Sequence, residues 1–300
     1  MLNMKLMEYQ FQKEGFSMEL VVRTSIDNIK SNKYKNADAF LFGLKGLSID
    51  RNLIALDELK LLDTSNIYIL LDKNMFNSDL AYLEEVLICL DKLSLKGILF
   101  YDLAVLSISK RLGIKTPLIW NQNFFVTNYR TCNYYFNEGV SGAVVSSEIT
   151  KDEIIEISKN TKLDLFVNIF GRQMMAFSKR HLVSNYFTFI GEVNDKDVNY
   201  MSERTGSYPV VEKDFGTKFF NKEVLCGIRY INEFKPFINH LILDDYMIDE
   251  DVFVKILSIF KEGLDASGDE LIGLEREVNS LVSCDLGFFD KKTIYVVKRK

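Results

Sequence analysis

The sequence has few of the residues that mark flexible linkers and disulfide frameworks. Its 300 residues include three prolines and 16 glycines, too few for long flexible linkers. Its four cysteines lie far apart, at Cys89, Cys132, Cys226 and Cys284. No apolar run approaches the roughly 20 residues of a membrane-spanning helix, and residues 1–17 lack the pattern of a signal peptide. We therefore expect a cytoplasmic protein with reduced thiols and no membrane partner.

Several motifs that carry cofactors or metals are also missing. The sequence contains neither of the glycine-rich patterns that cradle phosphates, and no H-E-x-x-H or C-x-x-C. Its two histidines, His181 and His240, are too few for a histidine-based zinc site, which needs three or four ligands. The expected cofactor and metal content is therefore none.

The charge balance limits the partners. The formal net charge is −5 and the pI is about 5.3, which argues against a protein that coats nucleic acid, and we expect no DNA partner. Hydrophobic residues make up 47% and charged residues 26% of the chain, a balance typical of a soluble globular protein.

Short apolar runs alternate with longer amphipathic segments, the pattern of βα units around a parallel sheet. Each run holds five to seven residues and is rich in Leu, Ile, Val and Phe, as in strands covered on both faces. The eight predicted strands span residues 18–23, 37–43, 67–72, 97–102, 117–121, 142–146, 164–169 and 240–244. Eight such units predict a TIM-like (β/α)8 barrel.

The alternation fails between strands seven and eight, where the gap is too long for one helix and two loops. Runs that read as short antiparallel strands lie within it, at 183–190, 208–212, 217–220 and 224–230. We therefore expect a small β-rich insertion after strand seven, on the C-terminal face where barrel active sites are built.

The predicted organisation has four parts. They are an N-terminal extension (1–17), the barrel (18–170 and 236–270), the inserted subdomain (171–235) and a C-terminal tail packing on the barrel (271–300). Residues 249–265 predict the last amphipathic helix, and residues 293–297 of the tail read as a strand.

Charged side chains lie at or just past the ends of the predicted strands. Asp102, Glu148 and Asp244 are candidates for catalytic acid–base work. Arg172 and Arg180 are suited to gripping a phosphate or carboxylate. A salt-bridge network closing the top of the barrel would use the same residue types, so both interpretations stay open.

Residues 169–187, IFGRQMMAFSKRHLVSNYF, resemble a characteristic segment of peptidase family U32, the collagenase-like proteases. The matching positions are Gly171, Ser178, Arg180, Leu182, Ser184 and Tyr186. The resemblance implies a TIM-like barrel with an inserted subdomain. Ser178 and Arg180 lie at the start of the insertion that would cover the mouth of the barrel, and we expect them, with Arg172, to bind substrate.

Further segments are similar to the family in the same order along the chain. Residues 119–128 keep Gln122 and Asn128, and we expect both residues to bind substrate. Residues 143–150 keep Glu148, and Asp244 stands where the family has Glu. The remaining similar segments are 37–43 with Arg51 beyond it, 97–110 and 287–298.

Two departures from the family concern its iron–sulfur chemistry. Cluster-bearing members carry four cysteines, and two of those positions hold Met174 and His181 here. A thioether cannot replace a cluster thiolate, and His181 reads as a replacement that has lost the ligand function or, alternatively, as a surviving ligand. Oxygen transfer, such as hydroxylation of RNA bases by cluster-bearing relatives, is therefore not expected of this chain alone.

Two functions follow from the resemblance. The first is a U32-type peptidase or hydrolase acting on an unknown substrate, with a peptide or RNA as partner. The alternative is a cluster-free partner or scaffold of a longer, RNA-modifying U32 paralogue.

Overall fold

The computed structural model describes residues 18–122, 124–204 and 206–291. The predicted N-terminal extension and the strand-like run at 293–297 lie outside the described residues. In chain order the strands are β1 (Glu19–Arg23), β2 (Ala39–Leu44), β3 (Leu53–Ile54), β4 (Ile67–Leu71), β5 (Gly97–Phe100), β6 (Leu118–Trp120), β7 (Gly142–Val144), β8 (Asp164–Gly171), β9 (Met174–Ser178), β10 (Asn199–Glu203), β11 (Gly206–Lys213), β12 (Gly216–Phe220), β13 (Val224–Cys226), β14 (His240–Asp244) and β15 (Cys284–Asp285).

The helices lie mainly between the strands of the first sheet. They are α1 (Ile26–Lys30), α2 (Leu56–Leu59), α3 (Leu80–Leu90), α4 (Leu103–Leu112), α5 (Tyr129–Asn137), α6 (Lys151–Asn160), α7 (Leu182–Ile190), α8 (Ile231–Phe234), α9 (Glu250–Gly263) and α10 (Gly268–Leu281). Short 3₁₀ turns span Asn77–Asp79 and Ile228–Tyr230.

Eight parallel strands close into a barrel. Their order is β14-β1-β2-β4-β5-β6-β7-β8, and β8 pairs with β14 to complete the circle. All eight strands predicted from the apolar runs are present, so the TIM-like barrel is confirmed. Leu41, Leu99, Val144 and Ile242, from alternate strands, belong to the apolar cluster inside the barrel, as expected for the layered filling of this fold.

The insertion after the seventh barrel strand is also confirmed. Strands β9 to β12 form a separate antiparallel sheet in the order β10-β11-β12-β9. The chain then returns through β13, which runs antiparallel to the end of β8, with Leu225 opposite Gly171.

The predicted strand at 183–190 is wrong, because this segment is the helix α7. Its apolar and aromatic residues suit a strand, but a side chain distant in sequence caps the helix. The Glu212 carboxylate on β11 accepts hydrogen bonds from the backbone amides of Val183 at 2.8 Å and Ser184 at 3.1 Å. Those amides are among the unpaired donors at a helix N-terminus, so this carboxylate favours the helical state.

The chain after the eighth barrel strand folds back over the barrel. Helix α9 occupies the segment predicted to be helical, residues 249–265, and it is followed by α10, for which no helix was predicted. The short strand β15 pairs with β13, and the buried Phe289 packs against Tyr230 and Phe234.

Candidate functional site

A cavity of about 520 Å³ lies between the barrel and the inserted sheet. Its floor is the apolar layer of Leu41, Leu99, Val144 and Ile242. Barrel ligands bind at the C-terminal ends of the strands, and this cavity lies there, as residues such as Asp244 at the end of β14 show.

The inserted sheet forms the opposite wall. Phe177 of β9, Val211 of β11 and Phe220 of β12 line the cavity, and Phe220 also packs on Tyr246 with ring centroids 4.9 Å apart. The cavity is therefore apolar on two sides, which suits a ligand with a flat or hydrophobic part.

A network of ion pairs forms its charged wall. The Arg23 guanidinium at the end of β1 donates from Nε to Asp50 Oδ2 at 2.6 Å, and its Nη2 lies 2.6 Å from the same oxygen in an ion pair. Asp50 Oδ1 accepts from the backbone amides of Arg51 at 2.6 Å and Asn52 at 3.2 Å. Asp50 is 2% exposed, so this is a buried, fully hydrogen-bonded carboxylate, the condition under which a buried charge is tolerated.

Arg51 extends the network to the eighth barrel strand. Its Nη2 donates to Asp244 Oδ1 at 2.7 Å and to Asp245 Oδ1. The guanidinium stacks over the Tyr246 ring at 4.3 Å, and Arg23 Nη1 lies 3.7 Å from Asp244 Oδ2. Two arginines thus hold Asp244 from two sides, which fixes the position of its carboxylate in the cavity wall.

The two neighbouring carboxyls respond differently to this environment. Burial raises the pKa of Asp50, but the positive charges of Arg23, Arg51 and Lys218 outweigh it, so the pKa lies below its usual value. Burial, reinforced by the charge of Asp244, raises the pKa of Asp245 despite the opposing effect of Arg51. The site therefore pairs a strongly ionised carboxylate with one that holds its proton more firmly.

Lys218 links the insertion to the barrel. It is 8% exposed on β12, and its Nζ donates to the carbonyl oxygen of Ile49 at 2.7 Å. Burial lowers the pKa of Lys218 although Asp72 and Asp50 oppose this effect. A buried lysine beside a cavity is a ready proton donor to a ligand oxygen.

Two glycines permit these close approaches. A Cβ at Gly43 would lie 2.3 Å from Ser48 Oγ and 2.8 Å from the Asp50 Cβ, so a larger residue would displace the loop that carries Asp50. Gly171 has a φ of +122°, and a Cβ there would lie 2.7 Å from the Cβ of Asp244 and 2.8 Å from its carbonyl oxygen. Glycine is needed at such a position because other residues rarely adopt this backbone conformation.

Of the eight site residues predicted from the sequence, all of them described, Asp244 and Arg172 line the cavity. Arg172 Nη1 donates to the carbonyl oxygens of Asn221, at 2.9 Å, and Lys222. Its Nε is buried without a partner among the described residues.

The other predicted residues have structural contacts outside the cavity lining. Asp102 and Asn128 are N-caps of α4 and α5, accepting from Ala104 and Thr131 amides at 2.9 Å each. Gln122 joins the Trp120 indole to the Tyr101 carbonyl, with distances of 3.0 and 2.6 Å.

Glu148, Ser178 and Arg180 lie at the outer part of this face. Glu148 and Arg180 are exposed, whereas Ser178 is half-buried. The Ser178 hydroxyl accepts from the Arg180 backbone amide at 3.2 Å. Their assignment to catalysis or substrate binding stays a prediction.

Sequence reasoning missed Arg23, Asp50, Asp72 and Lys218, and it gave Arg51 no role. Arg23 could have been found, since it ends the first predicted strand as Asp244 ends the eighth. Lys218 could not, because its contact with Ile49 spans 169 residues.

The donor set does not fit an iron–sulfur cluster. Met174 lines the cavity, and His181 is half-exposed with Nδ1 3.6 Å from Glu212 Oε1. Cys132 and Cys226 are buried and lie on α5 and β13. Within residues 18–122, 124–204 and 206–291, no three His, Cys, Asp or Glu side chains are grouped so as to hold a metal ion, whereas a cluster needs several thiolate or imidazole ligands at fixed geometry.

The family model of peptidase family U32 matches residues 26–284. The chain belongs to peptidase family U32. This U32 protein is 26% identical over 305 residues to the tRNA hydroxylation protein P2 of Bacillus subtilis (strain 168), and the match covers 92% of this chain and 98% of the relative. The described part of the U32 chain contains no helix of the length and apolarity that crossing a membrane requires.

Solved structures share the architecture at low sequence identity. The U32 peptidase Mk0906 is 12% identical with a TM-score of 0.47, and the match covers 77% of this chain and 94% of that one. N-(5'-phosphoribosyl)anthranilate isomerase from Pyrococcus furiosus is 10% identical with a TM-score of 0.42, covering 82% and 98%. Because both TM-scores are below 0.5, the assignment of the barrel fold rests on the strand order of this U32 protein itself.

Proposed function

We propose that this U32 protein is a cluster-free component of a tRNA-hydroxylating system, in which a separate cluster-bearing protein supplies the oxidative chemistry. The observation that carries the proposal is the match to a tRNA hydroxylation protein along 92% of this chain and 98% of that relative. A match of that extent includes the barrel, the insertion and the cavity between them.

The residues at two of the family's cluster-ligand positions support the proposal that this chain holds no cluster. Met174 and His181 stand at positions where cluster-bearing members of the family carry cysteine. Hydroxylation inserts an oxygen atom and needs an oxidant and an electron source, for which ionised carboxylates, arginines and a lysine are not substitutes. In this proposal the U32 chain binds and orients, and its partner oxidises.

The cavity supports a binding role. In this proposal the floor of four apolar residues and the aromatic wall receive a flat ring, and Arg172 and Lys218, which line the cavity, donate to acceptor atoms of the ligand. Asp244, held by Arg51 and Arg23, would accept a hydrogen bond from the ligand at a fixed point. Such preorganisation lowers the entropy cost of orienting a reactant.

The test is a genetic one with a chemical readout. In cells that encode this chain, its gene is deleted, and nucleosides from purified tRNA are compared by mass spectrometry. We expect a nucleoside heavier than its parent by one oxygen atom to disappear on deletion and to return with the wild-type gene. An unchanged nucleoside profile in the deletion strain would overturn the proposal.

Variants of the cavity separate binding from folding. Asp244 and Asn168 both line the cavity; Asp244→Asn removes a charge and Asn168→Leu removes a polar amide, each with little change in volume, and we expect neither to restore the modification. Asp57→Asn, which changes a carboxylate that is 93% exposed, is the matched control and should restore it. Soluble protein levels measured in the same cells exclude misfolding as the cause.

Purification without oxygen tests the cluster-free assignment separately. The protein should be colourless and free of iron and acid-labile sulfide. A brown preparation with several iron atoms per chain would contradict it.

A further inference from the structure

Helix α7, on the outer side of the inserted sheet, is apolar on two faces. Val183 is buried against the sheet and Phe187 is partly buried one turn later. Leu182, Tyr186 and Phe189 recur at spacings of four and three and are 36%, 58% and 89% exposed. Side chains at such spacings lie along one stripe of a helix, so α7 carries a second apolar stripe that faces solvent.

The helix also lacks the residues that normally keep such a surface soluble. No Asp, Glu, Lys or Arg occurs within Leu182–Ile190, and Val193, just beyond the Gly191 cap, is 91% exposed. The remaining face carries only the uncharged polar residues Ser184, Asn185 and Thr188. Contiguous exposed apolar patches such as this stripe mark interaction sites.

The charges that flank α7 indicate what covers it. Lys179 and Arg180 precede the helix, whereas Glu192 and Asp195 follow it, together with one lysine, Lys196. If a second α7 lay antiparallel on the stripe, the basic residues before each helix would lie beside the acidic residues that follow the other helix. Between these ends the stripe holds no charge, so no like charges would face each other across a two-fold axis.

We propose that this protein associates with a second copy of itself through antiparallel packing of the two α7 helices. The stripe of Leu182, Tyr186 and Phe189 forms the apolar centre of the contact. Arg180 of each copy lies near Glu192 of the other. The association goes beyond the proposed function and does not depend on tRNA or on a cluster-bearing partner.

The test is sedimentation velocity on the purified full-length chain over a range of concentrations. We expect a concentration-dependent species of twice the 34.7 kDa chain mass. Phe189→Glu places a charge within the apolar stripe and should raise the dimer dissociation constant about 30-fold or more, as for a hot-spot residue. Leu61→Glu is the matched control, since Leu61 is 86% exposed outside the stripe, and it should change nothing.

A charge exchange tests the antiparallel geometry. Arg180→Glu and Glu192→Arg should each weaken the dimer, and the double variant should restore it because the attraction is re-formed with the signs reversed. Thermal melts of every variant confirm that the monomer fold is kept.

Three results would overturn the proposal. The first is a chain that stays monomeric up to roughly 100 µM. The second is equal dimerisation of Phe189→Glu and Leu61→Glu. The third is a double charge variant that dimerises more weakly than both single variants. A chain that is monomeric alone and binds only a different protein falls under the first of these results.

Discussion

Replacing Asp50 by asparagine should be among the most damaging single changes at the cavity. The Asp50 carboxylate accepts three hydrogen bonds, one from Arg23 Nε and two from backbone amides, and it also forms an ion pair with Arg23 Nη2. In Asp50→Asn, one acceptor oxygen becomes an NH₂ group, which must face either the Arg23 guanidinium or the two amides. Both arrangements place donor against donor.

The magnitude follows from burial. Asp50 is 2% exposed, and the remaining carboxylate near Arg23, Asp244, is at 3.7 Å. Removing one partner of a buried ion pair costs about 3–5 kcal/mol when the other charge is left without compensation. Asp244 still compensates part of the Arg23 charge, so we expect a loss near the lower end of that range. Domains are stable by only about 5–15 kcal/mol, so the loss is a large fraction of the total.

Urea unfolding followed by circular dichroism measures this change, with Asp57→Asn as the matched control. Asp57 pairs with Lys60 at 2.9 Å but is 93% exposed, and exposed pairs are worth at most about 1 kcal/mol. If Asp50→Asn lost no more free energy of unfolding than Asp57→Asn, the ion pair would have no net structural role and our reasoning would fail.

Three further predictions concern pH and backbone strain. The folded-state pKa of Asp50 lies below 3.8, so its contribution to stability is present above that pH and is lost as the pH falls through the folded-state pKa. Acid unfolding should show this loss in the wild type and not in Asp50→Asn. Parallel acid-unfolding profiles of the two proteins would contradict the prediction. The folded-state pKa of Lys218 lies below 10.5, so the free energy of unfolding should rise with pH as it approaches 10.5, and an equal rise in Lys218→Met would refute this. Gly171→Ala should lower the melting temperature more than Gly191→Ala. Both glycines have a positive φ, which costs roughly 1–2 kcal/mol for a residue with a Cβ, but only a Cβ at Gly171 would also meet Asp244. Equal decreases in melting temperature would show that the contact with Asp244 relaxes freely.

The barrel strands were predictable because each is buried on both faces and is therefore a continuous apolar run. Ile67–Leu71 and Gly97–Phe100 are buried at every residue, so the pattern that defines them is local. Helix α7 was not predictable in this way. Its residues favour a strand, and the carboxylate that caps it, Glu212, lies 29 residues beyond Val183.

The site was predicted only in part, for a related reason. A polar residue after a barrel strand can enter the cavity, as Asp244 does, or cap the next helix, as Asp102 does. Both patterns look alike in sequence. The contacts of Arg51 with Asp244 and of Lys218 with Ile49 span 193 and 169 residues, and no local pattern encodes them.

The way the insertion joins the barrel has a consequence for protein engineering. The chain leaves through the end of β8 and returns through β13, and these two segments are hydrogen-bonded neighbours running in opposite directions, with Gly171 opposite Leu225. They are thus related as the two arms of a hairpin, which a loop of about two to five residues can join. The inserted sheet can therefore be excised and replaced by a tight turn, or exchanged for the sheet of a relative, without opening the ring of eight strands beneath it.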